Sequence, residues 1–427
     1  MTHEVVIDGD SLTVEQVSAV ASDRARVTIA PRARQRAATT RAVVDRLVSS
    51  GAVAYGVTTG FGKLSEIAIP PDRLAELQVN LVRSHAAGVG DLLPEREVRA
   101  MMLLRANVIA KGYSGARIDL SELLAGMLNA GLFPPVPEQG SVGASGDLAP
   151  LAHLALSMIG EGKLRRATGA AAGLFESVDG PADSMLRAAG LTPLTLGSKE
   201  GLTLINGTQA HTAIGALALV DARRLWRVAH IAGAMSLEAL LGTPVAFDER
   251  IQAVRGQVGQ AASAAYLRAL LAESEIRESH RYNDPRVQDA YALRCMPQVH
   301  GPVLDAIEFA AGVIGREINA ATDNPLVFDT GDLLSGGNFH GQSVSMALDF
   351  LAIALTNLAT ISERRTDRLV NPDLNQGLPP FLTHDAGVNS GFMMAQVTAA
   401  SLASECKVLS HPASVDTIPT DGNKEDV

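Results

Sequence analysis

The sequence predicts a mainly α-helical protein with an irregular N-terminal domain followed by a bundle of long helices. The 427 residues are 47% hydrophobic but only 4% aromatic, which suits helices packed through small side chains better than a β-sandwich. In addition, apolar residues recur at three- and four-residue intervals over long segments of the second half of the chain. The predicted division places residues 1–200 in the N-terminal domain and residues 201–427 in the helical bundle.

Short elements and loops are predicted to alternate through the N-terminal domain. Residues 4–30 alternate briefly between polar and apolar side chains and predict one or two short strands. Residues 32–50 have helical spacing, whereas residues 51–62 are glycine-rich and predict a loop. The helical pattern returns over residues 71–129, and another helix is predicted to start at Leu148.

The bundle is predicted from four long segments that follow a loop. Residues 166–190 are small and polar, which favours a loop. The segments beyond it are rich in Ala and Gly and are therefore expected to pack closely. They are Leu202–Leu241, Val299–Ala321, Ser343–Thr366 and Gly387–Leu409.

Composition and charge narrow the possible functions. The net charge of −10 argues against a nucleic-acid partner, because such a partner requires a basic face. The first residues lack the basic segment of a secretory signal, and no run of ~18 apolar residues predicts a membrane helix. Cys295 and Cys406 form neither a disulfide framework nor a metal-binding spacing. We therefore expect a cytoplasmic protein with no metal.

The tripeptide Ala144-Ser145-Gly146 is the most informative feature of the chain. In a tight turn, the amide nitrogen of Gly146 can attack the carbonyl carbon of Ala144 and close a five-membered ring. Loss of two waters, one of which carries the Ser145 hydroxyl, leaves an electrophilic methylidene group. Gly146 has no Cβ to block its nitrogen, and Asp147 could accept protons that the cyclisation releases. A simple turn of small residues is the alternative interpretation.

The longer run at residues 140–153 resembles the signature of the histidine and aromatic amino-acid ammonia-lyase family. The resemblance implies that Ala144, Ser145 and Gly146 become a 4-methylidene-imidazol-5-one (MIO) prosthetic group, with no metal or diffusible cofactor. It continues from about residue 50 to the end of the chain and implies a homotetramer in which each active site takes residues from three subunits. The family normally continues past the position of Val427 with a further C-terminal helical region; a truncated sequence and a naturally short member both remain open.

Two more segments match motifs of the family. Tyr55 lies in a glycine-rich loop that resembles the family's mobile tyrosine loop, which implies a role as general base. A phenol has a reference pKa of about 10, so we expect its surroundings to acidify it; a packed aromatic is the alternative. Asn206 resembles the family's asparagine segment and could bind a substrate carboxylate or the ring carbonyl, or instead cap a helix.

A third match contains Gln288, Tyr291 and Arg294, which are spaced by three residues and would share one face of a helical turn. Arg294 can bind a substrate carboxylate through two parallel hydrogen bonds, and Tyr291 is expected to position the ring or the substrate amine. A surface arginine on a solvated helix is the alternative. Ala290 replaces the proline of the family motif. Phe339 resembles an aromatic residue that packs near the ring, although a core position would also explain it.

Two positions bear on the substrate. Ser84-His85 resembles the pair of histidine-specific members, and Glu425 lies in a run where Lys424 replaces the glutamine of the family. His85 and Glu425 could hydrogen-bond the two nitrogens of an imidazole. The resemblance thus implies elimination of ammonia from L-histidine to give trans-urocanate. A phenylalanine or tyrosine ammonia-lyase, a 2,3-aminomutase built on the same ring, and an inactive homologue that serves as a binding scaffold remain open.

Overall fold

A computed structural model of the chain describes residues 4–168 and 176–426. Helices dominate this part of the chain, which confirms the predicted mainly α fold class. In chain order they are α1 (Val14–Ser22), α2 (Pro31–Ser50), α3 (Leu74–His85), α4 (Glu95–Lys111), α5 (Asp119–Asn129), α6 (Leu148–Met158), α7 (Ala182–Ala188), α8 (Glu200–Ile205), α9 (Gln209–Ala239), α10 (Glu249–Arg255), α11 (Val258–Leu270), α12 (Glu275–Ser279), α13 (Tyr291–Arg294), α14 (Met296–Glu317), α15 (Gln342–Val370) and α16 (Met393–Leu409).

The strands are short and pair locally. They are β1 (Glu4–Ile7), β2 (Arg26–Ile29), β3 (Val89–Leu92), β4 (Leu132–Phe133), β5 (Pro137–Gln139), β6 (Lys163–Thr168), β7 (Glu176–Pro181), β8 (Leu326–Val327) and β9 (Leu333–Leu334). Strands β1 and β2 are parallel, with Glu4 opposite Arg26. The pairs β3–β5 and β8–β9 and the sheet β4–β6–β7 are antiparallel.

Contacts group the described residues into two compact units, neither of which is continuous in sequence. Unit 1 contains residues 1–218, 313–345 and 415–427, and unit 2 contains residues 219–312 and 346–414. Three of the four boundaries fall inside helices α9, α14 and α15, and the fourth follows α16. The division at residue 200 stays a prediction.

Each unit has its own core. In unit 1, every residue of α4 from Val98 to Ala110 is buried, and this helix packs against α1, α2 and α5. In unit 2, apolar side chains from α9, α11, α13, α14 and α15 form one cluster around the buried Phe247. The small side chains Ala234 and Ala264 lie in this cluster, in keeping with the close helix packing that the composition predicts.

Several local predictions are confirmed: the two strands near the N-terminus, the helix after residue 31, the helix from Leu148 and the long helices. The loop predicted over residues 166–190 is wrong in its described part, because β6, β7 and α7 lie there. Strand β6 is held between β4 and β7, and among its described side chains, those of residues 163–166, it buries only Leu164 fully. One buried side chain in this part of the strand gives almost no alternating pattern, so pairing with neighbours decides the structure.

Two predicted helical stretches are interrupted. The stretch over residues 71–129 contains β3, which begins next to Gly90, a residue with a left-handed backbone (φ +89°). The stretch from Leu202 breaks between α8 and α9, where Asn206 is extended and Gly207 has a φ of +156°. Asn206 therefore does not begin the long helix, and its side chain is not the helix cap. Residues Tyr291–Arg294 form a helical turn, but Gln288 precedes it.

One helix in the described part of the chain, Gln342–Val370, is long and apolar enough to cross a membrane, judged by length and composition alone. Buried helices of non-membrane proteins often meet the same criterion. One side of this helix is covered within the protein, since Val344, Leu351 and Leu358 are buried.

A close approach between two backbone segments positions the informative tripeptide. Gly146 has a φ of +75°, and a Cβ placed on it would lie 2.5 Å from the carbonyl oxygen of Gly207. The Asp147 N–H donates to that same oxygen at 2.7 Å. The turn before α6 thus rests directly on the break before α9, and the contact leaves no space for a side chain at Gly146.

We expect Gly146→Ala to lower the Tm well below that of Gly143→Ala. Both positions have left-handed backbones, so alanine costs about 1 kcal/mol at either one. A Cβ at Gly143 meets nothing within 4 Å, whereas one at Gly146 adds a clash costing about 1–3 kcal/mol. Thermal unfolding followed by circular dichroism measures the difference. Equal losses of Tm in the two variants would contradict the close approach.

Candidate active site

Unit 1 contains a cavity of about 1120 Å³ beside this turn. Its walls come from the loop after α2, the end of α3, the turn before α6, the break before α9, the segment after β9 and the C-terminal residues. The predicted site residues among its lining are Tyr55, His85, Ala144, Ser145, Asn206, Phe339 and Glu425.

The chain folds back on itself at Ala144-Ser145. Gly143 and Gly146 pair as an isolated antiparallel bridge, as expected for a tight turn around two residues. The Ser141 hydroxyl contacts both sides of the turn. Its oxygen accepts from the Gly143 N–H at 3.1 Å, and it donates to the Gly146 carbonyl oxygen at 3.3 Å. The tight turn that ring closure requires is therefore present.

Asp147 anchors this turn to the first residues of α9. Its carboxylate accepts hydrogen bonds from the N–H groups of Ala210 and His211, the Nδ1 of His211 and the hydroxyl of Ser141, at 2.7–3.1 Å. Burial opposes ionisation, but the charge and hydrogen bonds of His211 outweigh it and hold the pKa of Asp147 below its usual range. In turn, burial lowers the pKa of His211, but the negative charge of Asp147 and its hydrogen bond raise it by more. Asp147 is thus an ionised acceptor next to the tripeptide.

Asn206 reaches the tripeptide from the break between α8 and α9. Its Nδ2 donates to the carbonyl oxygen of Ser145 at 3.1 Å. Its own carbonyl accepts from Arg105 at 2.8 Å, and the same guanidinium group donates to Gln209 at 2.7 Å. The Oδ1 of Asn206 is buried and has no hydrogen-bond partner among the described residues. An acceptor for a ligand donor is thus available in the cavity wall.

Tyr55 lies on the cavity wall with a half-buried ring. Its hydroxyl oxygen is 3.4 Å from the N–H of Gly62. Burial raises the pKa of the Tyr55 phenol most strongly, the Gly62 N–H lowers it, and the negative charges of Glu425 and Asp421 each add a smaller increase. The expectation that its surroundings acidify this phenol is therefore wrong for the groups of this chain.

His85 ends α3 with a fixed ring. Its Nδ1 is 2.8 Å from the carbonyl oxygen of Leu81 and 3.0 Å from the hydroxyl of Ser84. Because a carbonyl only accepts, Nδ1 donates, and Nε2 of the neutral ring is then an acceptor. Glu425 accepts from the hydroxyl of Thr420 at 2.7 Å and keeps its second oxygen for other partners. Two acceptors therefore line one cavity.

Phe339 lines the same cavity, from the segment between β9 and α15. Asn324 supports this segment, because its Oδ1 accepts from the Gly336 N–H at 2.8 Å. Phe339 is thus exposed to the cavity and is not an interior core residue.

Gln288, Tyr291 and Arg294 belong to unit 2 and are not among the residues that line the unit 1 cavity. Gln288 and Tyr291 line a smaller pocket of about 380 Å³, and 72% of the Tyr291 side chain is exposed. The guanidinium carbon of Arg294 is 4.8 Å from the centre of the Tyr291 ring. The buried Nε of Arg294 has no partner among the described residues.

The sequence did not single out Ser141, His211 or Asp421, although all three belong to the site. Each lies close in sequence to a segment that it did single out. Ser141 is inside the signature run, His211 follows the asparagine segment, and Asp421 precedes Glu425 by four residues. Their roles depend on contacts between distant segments, such as the bond from the Lys63 N–H to Asp421 at 2.7 Å. No short motif carries that information.

The described part of the chain contains no group of three or more His, Cys, Asp or Glu side chains that could hold a metal ion. The tight turn, the side-chain-free Gly146 and the Asn206 amide on the Ser145 carbonyl fit a ring formed from the backbone.

Comparisons with known proteins identify the family. Residues 12–427 match the sequence model of the family described as aromatic amino acid lyase. The chain is 58% identical to the histidine ammonia-lyase of Anaeromyxobacter sp. (strain K), over 99% of this chain and 83% of that protein. The crystal structure of histidine ammonia-lyase from Trypanosoma cruzi is similar, with a TM-score of 0.87 and 45% identity over 99% and 78% of the two chains. Tyrosine aminomutase from Streptomyces globisporus matches with a TM-score of 0.90 and 37% identity over 99% and 82%.

Both the sequence and the fold are shared with these proteins over almost the whole of this chain. The family match also includes the turn, the asparagine segment and the C-terminal residues that meet at the cavity. The chain therefore belongs to the aromatic amino acid lyase family.

Proposed function

We propose that the chain eliminates ammonia from L-histidine and releases trans-urocanate. The observation that carries this proposal is that His85 and Glu425 line the same cavity as Ala144 and Ser145. Two acceptors suit an imidazole that carries both N–H groups, whereas a phenyl ring would leave them without a donor. The high identity to a histidine ammonia-lyase supports the same substrate.

We infer that Ala144, Ser145 and Gly146 mature into an MIO group. When formed, this group supplies an electrophile that ordinary side chains do not provide. The chain's own residues prepare it: the Gly143–Gly146 bridge holds the turn, and Asp147 offers an ionised acceptor for protons. The side-chain amide of Asn206 would donate to the carbonyl of the ring, because it already donates to the backbone carbonyl of Ser145, which becomes the ring carbonyl.

The remaining site residues have separate tasks in this proposal. Tyr55 removes the proton from the β-carbon of the substrate. Arg294 binds the substrate carboxylate through two hydrogen bonds, with Gln288 and Tyr291 beside it. Phe339 packs against the reacting groups and keeps water from them.

We also propose that the chain works as a cytoplasmic homotetramer whose active sites combine residues of different subunits. Helix α16 supports this assembly, because the described chain buries none of its residues. Apolar side chains on α9 and α15 are also exposed, including Met235 and Phe350. Exposed apolar surface of this extent is typical of protein interfaces.

A 2,3-aminomutase is the second candidate, since the tyrosine aminomutase has the same fold. Purified protein incubated with histidine, phenylalanine or tyrosine separates the possibilities. We expect urocanate and free ammonia from histidine, detected by ultraviolet absorbance and an ammonia assay. A β-amino acid as the main product would support the aminomutase, and a lack of reaction with all three would support the binding scaffold.

Ser145→Ala should fold and assemble but lose nearly all turnover, because alanine has no hydroxyl to lose as water. Mass spectrometry of the peptide that spans residues 140–153 should show the loss of two waters in the wild type only. Active wild-type protein with an unmodified peptide would contradict the MIO proposal.

Shared active sites predict that two inactive variants rescue each other. Arg294→Ala should lower kcat/KM by about two to three decades, because a charged pair is lost. The Arg294→Ala variant is then refolded together with Ser145→Ala in equal amounts. If each site takes the two residues from different subunits and the subunits mix at random, about a quarter of the sites should regain activity. Each variant refolded alone is the control. A mixture that stays inactive would place both residues in one subunit's site.

His85→Phe should lower kcat/KM for histidine by about one to two decades and spare or improve turnover of phenylalanine. The physical reason is the loss of an acceptor for the imidazole, which costs about 1–3 kcal/mol. Both substrates are assayed on both proteins, with equal MIO content verified by mass. If the wild type already prefers phenylalanine or tyrosine, the assignment of histidine is wrong.

A further inference from the structure

Tyr55 and Asp421 contact neighbouring peptide groups of one loop. The Tyr55 hydroxyl oxygen is 3.4 Å from the N–H of Gly62, and the Asp421 carboxylate accepts from the N–H of Lys63, the next residue, at 2.7 Å. A side chain on Gly62 would collide with the same carboxylate. The phenol and the carboxylate are therefore held on consecutive amides, and the C-terminal segment is fastened to the loop that carries the proposed base.

The charges near the phenol are mostly negative. Asp421 and Glu425 come from the C-terminal segment, and their charges add to burial in raising the pKa of Tyr55, against the opposite effect of the Gly62 N–H. The other titratable side chains that line the cavity are Glu66, His85, His340, Lys424 and Asp426. Glu425 already has a place in substrate recognition, whereas nothing so far gives Asp421 a task.

We propose that Asp421 is a positioning residue for Tyr55: it fastens the Gly62–Lys63 peptide beside the hydroxyl and places there a negative charge that opposes loss of the phenol proton until a cationic substrate offsets it. The inference rests on the proposed role of Tyr55 as base. Free histidine brings an ammonium group, and its imidazole can be protonated. A cation in the cavity offsets the carboxylates and lets the phenol release its proton to solvent. The base therefore forms more readily when a substrate is present.

Asp421→Asn tests the charge while keeping an oxygen that can accept from Lys63. Asp426→Asn is the matched control, because Asp426 lies on the same segment and lines the cavity but is not among the charges that act on Tyr55. Each protein is titrated with alkali, and the phenolate absorbance of its Tyr55→Phe counterpart is subtracted. We expect the Tyr55 signal of Asp421→Asn to appear at lower pH than in the wild type, and that of Asp426→Asn to follow the wild type.

The pH profile of kcat/KM for histidine gives a second readout. Asp421→Asn should move the rising limb to lower pH and raise kcat/KM at neutral pH about two- to threefold at low salt, with an unchanged KM at the plateau. High salt should shrink the difference, since screening weakens an exposed charge. Asp421→Ala, which also removes the acceptor for Lys63, should lower kcat as well.

A Tyr55 titration that is the same in Asp421→Asn and in the wild type would overturn the proposal. So would an equal shift in Asp426→Asn, because the effect would then be one of net charge. If Tyr55→Phe keeps normal turnover while Asp421→Asn still shifts the phenol titration, the effect of Asp421 on the phenol is supported and only the assignment of Tyr55 as base fails.

Discussion

The site depends above all on the carboxylate of Asp147 at the start of α9. The first N–H groups of a helix have no partners within the helix and favour a negative charge. Asp147 satisfies two of them and binds the His211 side chain and Ser141 as well. Through one side chain, the turn before α6 is fixed on the segment that contains Asn206. The amide of Asn206 can then reach the Ser145 carbonyl, and Gly146 meets the Gly207 backbone.

The sequence predicted those parts of the fold that local patterns determine. The spacing of apolar residues identified the long helices, and the signature run identified the turn. The break at Asn206 was not visible, because the apolar spacing continues through it. It forms because Arg105, more than a hundred residues earlier in the chain, donates to the Asn206 carbonyl, and because Asp147 replaces the missing helical partners. Similarly, strands β6 and β7 are defined by their neighbours more than by their own residues.

Tyr55 shows that local sequence patterns also leave the electrostatic surroundings of a side chain undetermined. The resemblance of its loop to the family's mobile tyrosine loop implied a general base, and the expectation of a lowered pKa followed from the needs of a base. The charges that act on the phenol come from the other end of the chain, at Asp421 and Glu425, and they favour its neutral form. A motif therefore proposes which side chain reacts, but only the folded chain shows which charges surround it.

A free amino acid presents three groups that need partners in a site: a carboxylate, an amine and a side chain. In this chain, the proposed partners for the imidazole lie in unit 1, whereas Arg294, the proposed partner for the carboxylate, lies in unit 2 with an unpartnered Nε. A guanidinium charge that loses hydration needs an acceptor in its place. The unpartnered Nε is therefore compatible with the proposal that an anion binds Arg294. The substrate carboxylate is an anion of the right shape, since its two oxygens match the guanidinium fork.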